Sequence, residues 1–168
     1  MVSPGFIDIQ SHSWNALLFA DGRVIGKVSQ GVTTEILGEA TTPAPSNSNV
    51  DSLFAGGDPE DALMFERVKT FRGEHGFGQW LAAMEKNGIS VNAGSYLGAT
   101  TVRGYAMGRV EGQASPAQLD TMRAVTRNAM QDGAFGVASA LIYPPGNFAS
   151  TDELGQVAKA MAPLGGVY

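Results

Sequence analysis

The 168-residue chain predicts an α/β fold, with a mostly parallel sheet built from βαβ units. Short apolar or β-branched runs recur along it, segments with helical spacing of apolar residues separate them, and polar or glycine-rich stretches follow the runs. With 43% hydrophobic and 16% charged residues, the composition is that of a chain able to bury a core.

The first strand is expected over 2–10, an apolar run entered past Pro4 and Gly5 that suits a strand buried in a core. A short helix over 21–30 is closed by Gly31. The β-branched run VTTEIL, 32–37, is a second strand that ends at Gly38 and Glu39. The stretch TTPAPSNSNVDSLFAGGDPED reads as a long loop, about 40–58, over the end of the sheet. Loops of that length usually act as lids or binding segments.

From Pro59 the pattern turns helical through Leu63, Phe65, Val68 and Phe71. A second helix around Phe77, Trp80, Leu81 and Met84 stops at Gly88, and ISVNAGSY, 89–96, is the third strand. The helix over 115–131 has Ser115 as N-cap, Pro116 in its first turn and Gly133 as terminator. Its Leu119, Met122, Val125 and Met130 lie near one stripe. The run AFGVASAL, 134–141, is the fourth strand. A last helix opens with Ser150 and Glu153 in capping-box spacing and runs to about Met161, before GGVY leads toward a fifth strand.

Four βα units in a row match about half of a (β/α)8 barrel, whose usual length is about 250 residues. The expected architecture is therefore a partial, truncated TIM barrel formed by the whole of 1–168.

Eleven Lys and Arg against sixteen Asp and Glu give a net charge of −5, with no basic cluster interleaved with aromatics, which excludes a nucleic-acid partner. There are no cysteines, so metal ligands would have to be His, Asp or Glu. No apolar stretch has the length of a membrane span and no signal peptide is visible, so a soluble and cytoplasmic protein without a membrane partner is favoured. The glycine-rich pieces match neither dinucleotide nor P-loop spacing.

The run IDIQSHS carries the chemistry. Strand alternation puts Asp8, Gln10 and His12 on one side and Ile7, Ile9 and Ser11 on the other. Glu39 stands at the end of the neighbouring strand. His12 reads either as a hydrogen-bonded strand-end histidine or as a metal ligand, and Glu39 as a solvated loop carboxylate or a ligand. Arg103 could clamp a substrate carboxylate or hold a loop through a structural ion pair. Tyr143, in the loop after the fourth strand, serves loop rigidity or a substrate wall. His75, in FRGEHGFGQW, lies between helices at the surface or at a helix entry. The stripe of Phe65, Phe71, Trp80 and Met84 is core packing.

The segments SPGFIDIQSHS, GVTTEILGE, VNAGSYLGATTVRGYAMG and GAFGVASALIYPPGNFASTDELGQVAKAMAPLGGVY, in that order, resemble the N-acyl-D-amino-acid deacylase (D-aminoacylase) family of the amidohydrolase superfamily. The resemblance implies a metal-dependent hydrolase barrel of which this chain is the N-terminal half, the rest of the barrel and a small β domain being absent. It implies zinc, activating water for attack on the linear amide of an N-acyl-D-amino acid to give a carboxylate and a D-amino acid. The family's first-strand His-x-His pair falls on Gln10 and His12, and the glutamine amide is a poor zinc ligand. Its second-strand GNCG segment is GEAT here, so the cysteine falls on Ala40 and Glu39 becomes the substitute candidate. The GHGTLR segment after the third strand reads GATTVR, with Ala99 at the histidine and Arg103 retained.

The resemblance places the remaining histidines and the general base, an aspartate, downstream. No catalytic residue is expected within 1–168, and the chain by itself is expected to be inactive. A non-catalytic or repurposed relative is the alternative, because Gln10, Ala40 and Ala99 replace three functional positions. Exposed strand edges would also favour self-association.

Overall fold

The computed structural model describes residues 2–54 and 65–168. Among the described residues five short strands, β1 Phe6–Asp8, β2 Val32–Leu37, β3 Asn92–Ser95, β4 Leu97–Gly98 and β5 Val137–Ala138, all pair in parallel. Sheet order is β1-β2-β3 and β4-β5. Tyr96 alone separates β3 from β4. The Phe135 N–H donates to Ser95 O at 3.0 Å and the Leu97 N–H to Gly136 O at 2.9 Å, so β5 runs beside both segments. Seven helices are labelled: α1 Trp14–Phe19, α2 Ile25–Val28, α3 Ser48–Phe54, α4 Gly76–Asn87, α5 Ala99–Met107, α6 Pro116–Gln131 and α7 Thr151–Met161. Residues 65–68 add a helical turn, and the part of the expected 59–71 helix before them lies outside the described residues.

The core forms where helices cover one side of the sheet. Leu37, Leu97 and Val137 meet Trp80, Met122 and Val157 there, all buried. Phe77 and Trp80 on α4 pack edge to face with centroids 5.5 Å apart, and of the expected core stripe Phe71, Trp80 and Met84 are buried while Phe65 is half-buried. The α6 capping box is complete, with Ser115 Oγ accepting the Gln118 N–H and Gln118 Oε1 accepting the Ser115 N–H. At α7 only half of it forms. Ser150 Oγ accepts the Glu153 N–H at 3.1 Å, while the Glu153 carboxylate turns inward to Arg103.

Several expectations need correction. The first strand is confined to 6–8 and is not buried: Ile7 is 62% and Ile9 76% exposed. It is a sheet edge that pairs only with β2 among the described residues, and its apolar residues face away from the helices. Of the expected helix over 21–30 only α2, Ile25–Val28, forms, entered past Val24 in the left-handed region (φ 36°), while α1 at Trp14–Phe19 precedes that range and has no counterpart in the sequence reading. The fourth strand is confined to Val137–Ala138. Helix α5 has no counterpart in the sequence reading, because Thr100, Thr101 and Val102 are weak helix formers. Their burial against the core overrides propensity. The described part of the expected long loop is no open lid: Thr42, Ala44 and Ser46 are buried and α3 follows them.

No helix among the described residues is long and apolar enough to cross a membrane.

Candidate functional site

The site sits at the C-terminal ends of β1 and β2. Register pairs Asp8 with Glu35, so both face the helix layer, where Lys27 of α2 pairs with Asp8. Hydrogen bonding to the Lys27 ammonium, and then to the Gln10 N–H, holds the Asp8 carboxyl below the usual aspartate value, while Asp8 raises Lys27. The Gln10 N–H donates to Asp8 Oδ1 at 3.1 Å, a local turn that ends strict alternation. Asp8 is thus not on the side of Gln10 and His12, contrary to the simple strand reading.

Ser11 rejoins β2 through its N–H to Ile36 O (2.9 Å), and its buried hydroxyl donates to Glu35. That anchor leaves the side chains on either side of it free to reach Glu39. Gln10 Nε2 donates to Glu39 Oε2 at 2.8 Å, and His12 Nε2 lies 3.1 Å from the same oxygen.

Glu39 is held by the turn that carries it. Gly38 has φ +96°, and a Cβ there would lie 2.0 Å from Tyr96 O. Ala40, also left-handed at φ 60°, presents its carbonyl to the Thr100 N–H at the start of α5 (2.8 Å). Beside the turn lies an open cavity of about 450 Å³, lined by Ile9, Gln10, Glu39, Tyr96, Ser139 and Tyr168 among others. The Tyr168 hydroxyl donates to Ser139 Oγ at 2.9 Å across it.

The other two candidates lie elsewhere. Arg103 is buried on α5, where Nη1 donates to Glu153 Oε2 at 2.5 Å and Nη2 to Val110 O and Gly112 O. The structural ion pair is the reading its geometry matches, because a guanidinium so enclosed has no path to a substrate in the cavity. Tyr143 is exposed on the loop after β5 and does not line the cavity. His75 stands at the entry to α4, its Nδ1 2.6 Å from Asp132 Oδ1, while Asp132 Oδ2 accepts the Gly78 N–H. Sequence reasoning missed Glu35 and the cavity residues Tyr96 and Tyr168. The signal for Glu35 was a carboxylate inside an otherwise apolar and hydroxylic strand.

His and Glu are zinc-ligating types, but catalytic zinc takes three protein ligands and leaves one position open. Here His12 and Glu39 are two. Among the described residues, no group of three or more His, Cys, Asp or Glu could hold a metal. Gln10 directs its NH2 at Glu39 and does not extend the set. The donors are of the right chemistry and too few to form a zinc site.

Parallel βα units with a polar set at the strand ends are the arrangement of α/β-barrel enzymes, which carry their chemistry beyond the strands' C-termini. No family model matches the chain. The D-aminoacylase of Alcaligenes xylosoxydans xylosoxydans is 32% identical over 178 residues, covering 100% of this chain and 33% of that protein. The N-acyl-D-aspartate deacylase of the same organism is 34% identical over 171 residues, covering 99% and 32%. Solved D-aminoacylase structures, one described as defining a novel subset of amidohydrolases and one concerned with a binuclear metal center, align with TM-score 0.79 at 32% identity. They cover 99% of this chain and 33% of theirs. The N-acyl-D-glutamate deacylase of Bordetella bronchiseptica, complexed with zinc and a phosphonate inhibitor, aligns with TM-score 0.73 at 25% identity over 95% of this chain and 32% of that one. The chain is homologous to the D-aminoacylase amidohydrolases and spans about a third of their length.

Proposed function

We propose that the chain forms the first four βα units of a (β/α)8 amidohydrolase barrel and contributes to hydrolysis of N-acyl-D-amino acids, releasing a carboxylate and a D-amino acid. The observation that carries this is the convergence of Gln10 and His12 on Glu39, at strand C-termini, in a chain homologous from end to end to D-aminoacylases. Gln10 and His12 hold the Glu39 carboxylate in one orientation, with Gly38 and Ala40 fixing the backbone beneath it. Ile9 and Tyr96 give the cavity an apolar wall suited to an acyl group. Zinc is the divalent ion the relatives suggest. His12 and Glu39 are the two donors that the described residues offer it, so other ligands have to come from outside them.

The experiment measures metal content and hydrolysis of N-acetyl-D-amino acids by the protein in its full native context, with His12→Ala and Glu39→Ala beside wild type. Both variants are expected to lose metal and at least tenfold in kcat/KM. Unchanged metal and turnover in both defeats the reading. A second reading, a non-catalytic relative, is favoured by Gln10, Ala40 and Ala99 standing where the family's His, Cys and His are expected, and it predicts a folded protein with neither metal nor turnover.

A further inference from the structure

The residue between Gln10 and His12 is held on every side. Ser11 is buried, its N–H donates to Ile36 O at 2.9 Å, and its hydroxyl donates to Glu35 Oε2 on β2. A serine hydroxyl has one proton to give and two lone pairs to fill. With the proton on Glu35, the Ser13 N–H at 3.3 Å and the Ser13 hydroxyl oxygen at 3.1 Å complete the shell around Ser11 Oγ. Gln10 and His12 thus extend from a fixed point, and both end on Glu39 Oε2.

Glu35 is an unusual residue for its place. It is fully buried on the helix-facing side of β2, between Thr34 and Ile36, where a β-branched or aliphatic side chain would pack without loss. Only Oε2 is bonded, and Oε1 has no hydrogen-bond partner among the described residues. Burying a carboxyl group with an unpaired oxygen costs free energy. The Lys27 ammonium does not offset this with a hydrogen bond: it is held charged first by its hydrogen bond to Asp8 and to a lesser degree by Glu35. Fold stability is therefore not what Glu35 supplies.

We propose that Glu35 is a positioning residue of the site: by fixing the Ser11 hydroxyl it sets where Gln10 and His12 meet Glu39. This deepens the amidohydrolase reading and rests on it for turnover. Glu35 does not line the cavity and acts through Ser11 alone. Losing that anchor lets the strand end between Asp8 and α1 shift, and a displacement of about 1 Å at a reacting site can cost as much as about a hundredfold in rate.

The test uses the protein in its full native context with Glu35→Val, Glu35→Gln, Ser11→Ala, and Ser11→Ala combined with Glu35→Val. Glu35→Val should keep or raise Tm, lower kcat about tenfold or more, and leave KM within about twofold. Glu35→Gln retains an oxygen that accepts the Ser11 hydroxyl and should recover most of kcat. Ser11→Ala should match Glu35→Val, and the double variant should lose no more than either single one. Hydrogen exchange needs no turnover: the amides of 9–13 should exchange faster in Glu35→Val and in Ser11→Ala, with the rest of the chain unchanged. Unchanged kcat and exchange in Glu35→Val overturn the proposal. So do a lowered Tm with faster exchange throughout, and losses that multiply in the double variant. A wild-type protein without turnover refutes the amidohydrolase reading instead, and exchange at 9–13 then decides the role of Glu35 by itself.

Discussion

Arg103 and Glu153, fifty residues apart in the chain, form an ion pair between α5 and α7 with side chains 1% and 4% exposed. The same guanidinium closes the loop after α5 through Val110 O and Gly112 O. Glu153→Leu strands a buried cation and is expected to cost about 3–5 kcal/mol of stability. Adding Arg103→Met should restore a large part of that loss, since replacing both charges removes the uncompensated one. Urea denaturation of the two variants checks this, and a double variant as unstable as the single one contradicts it.

The pair of Asp8 and Lys27 sets a pH window. The Asp8 carboxyl lies below its ordinary 3.8, so its contribution is present above that value and fades as pH falls through the lower folded-state value. Lys27 lies above its ordinary 10.5, so its contribution is present below that value and is lost as pH rises through the higher folded-state value. The pair is partly exposed, so the effect is at most about 1 kcal/mol. Asp8→Asn keeps an acceptor for the Gln10 N–H and should flatten the acid limb of a stability profile between pH 2 and 6; an unchanged slope counts against the assignment.

Gly38 permits the turn that delivers Glu39. With φ at +96° and Tyr96 O in the way of a Cβ, Gly38→Ala is expected to cost at least about 1–3 kcal/mol. It should also separate Glu39 from Gln10 and His12. Gly73→Ala, also at positive φ but with nothing within 4 Å of its Cβ, carries only the backbone term and should be milder. Equal losses in thermal melts of the two variants would show that the steric argument at Tyr96 is mistaken.

With two metal-ligating side chains converging, the 168-residue chain alone should not hydrolyse N-acyl-D-amino acids in the presence of zinc. Robust turnover in a direct assay reverses this.

Much of the architecture was legible in the sequence because it is written in local signals. The run VTTEIL and the Ser115, Pro116 and Gly133 punctuation of α6 appear in the structure at the expected places. Helix α5 was not legible, since its β-branched first turn argues against a helix and only burial against the core supports one. The half-formed capping box at α7 failed for a related reason. The Glu153 carboxylate is taken up by the buried Arg103 guanidinium and so does not fold back on the Ser150 N–H.

The candidate site divides in the same way. Residue types and order brought Gln10, His12 and Glu39 into view, but alternation placed Asp8 with them, and the turn at Gln10 removes it.

The succession of parallel βα units, the lack of thiolate ligands and the deacylase likeness can all be read from the chain before it folds, because these depend on composition and near-neighbour pattern. Tertiary structure alone decided that Glu39 receives both Gln10 and His12, that Arg103 is spent on Glu153, and that β1 is an exposed edge. Those outcomes depend on which distant segments compete for the same polar group or the same strand edge, and that competition is settled only when the sheet assembles.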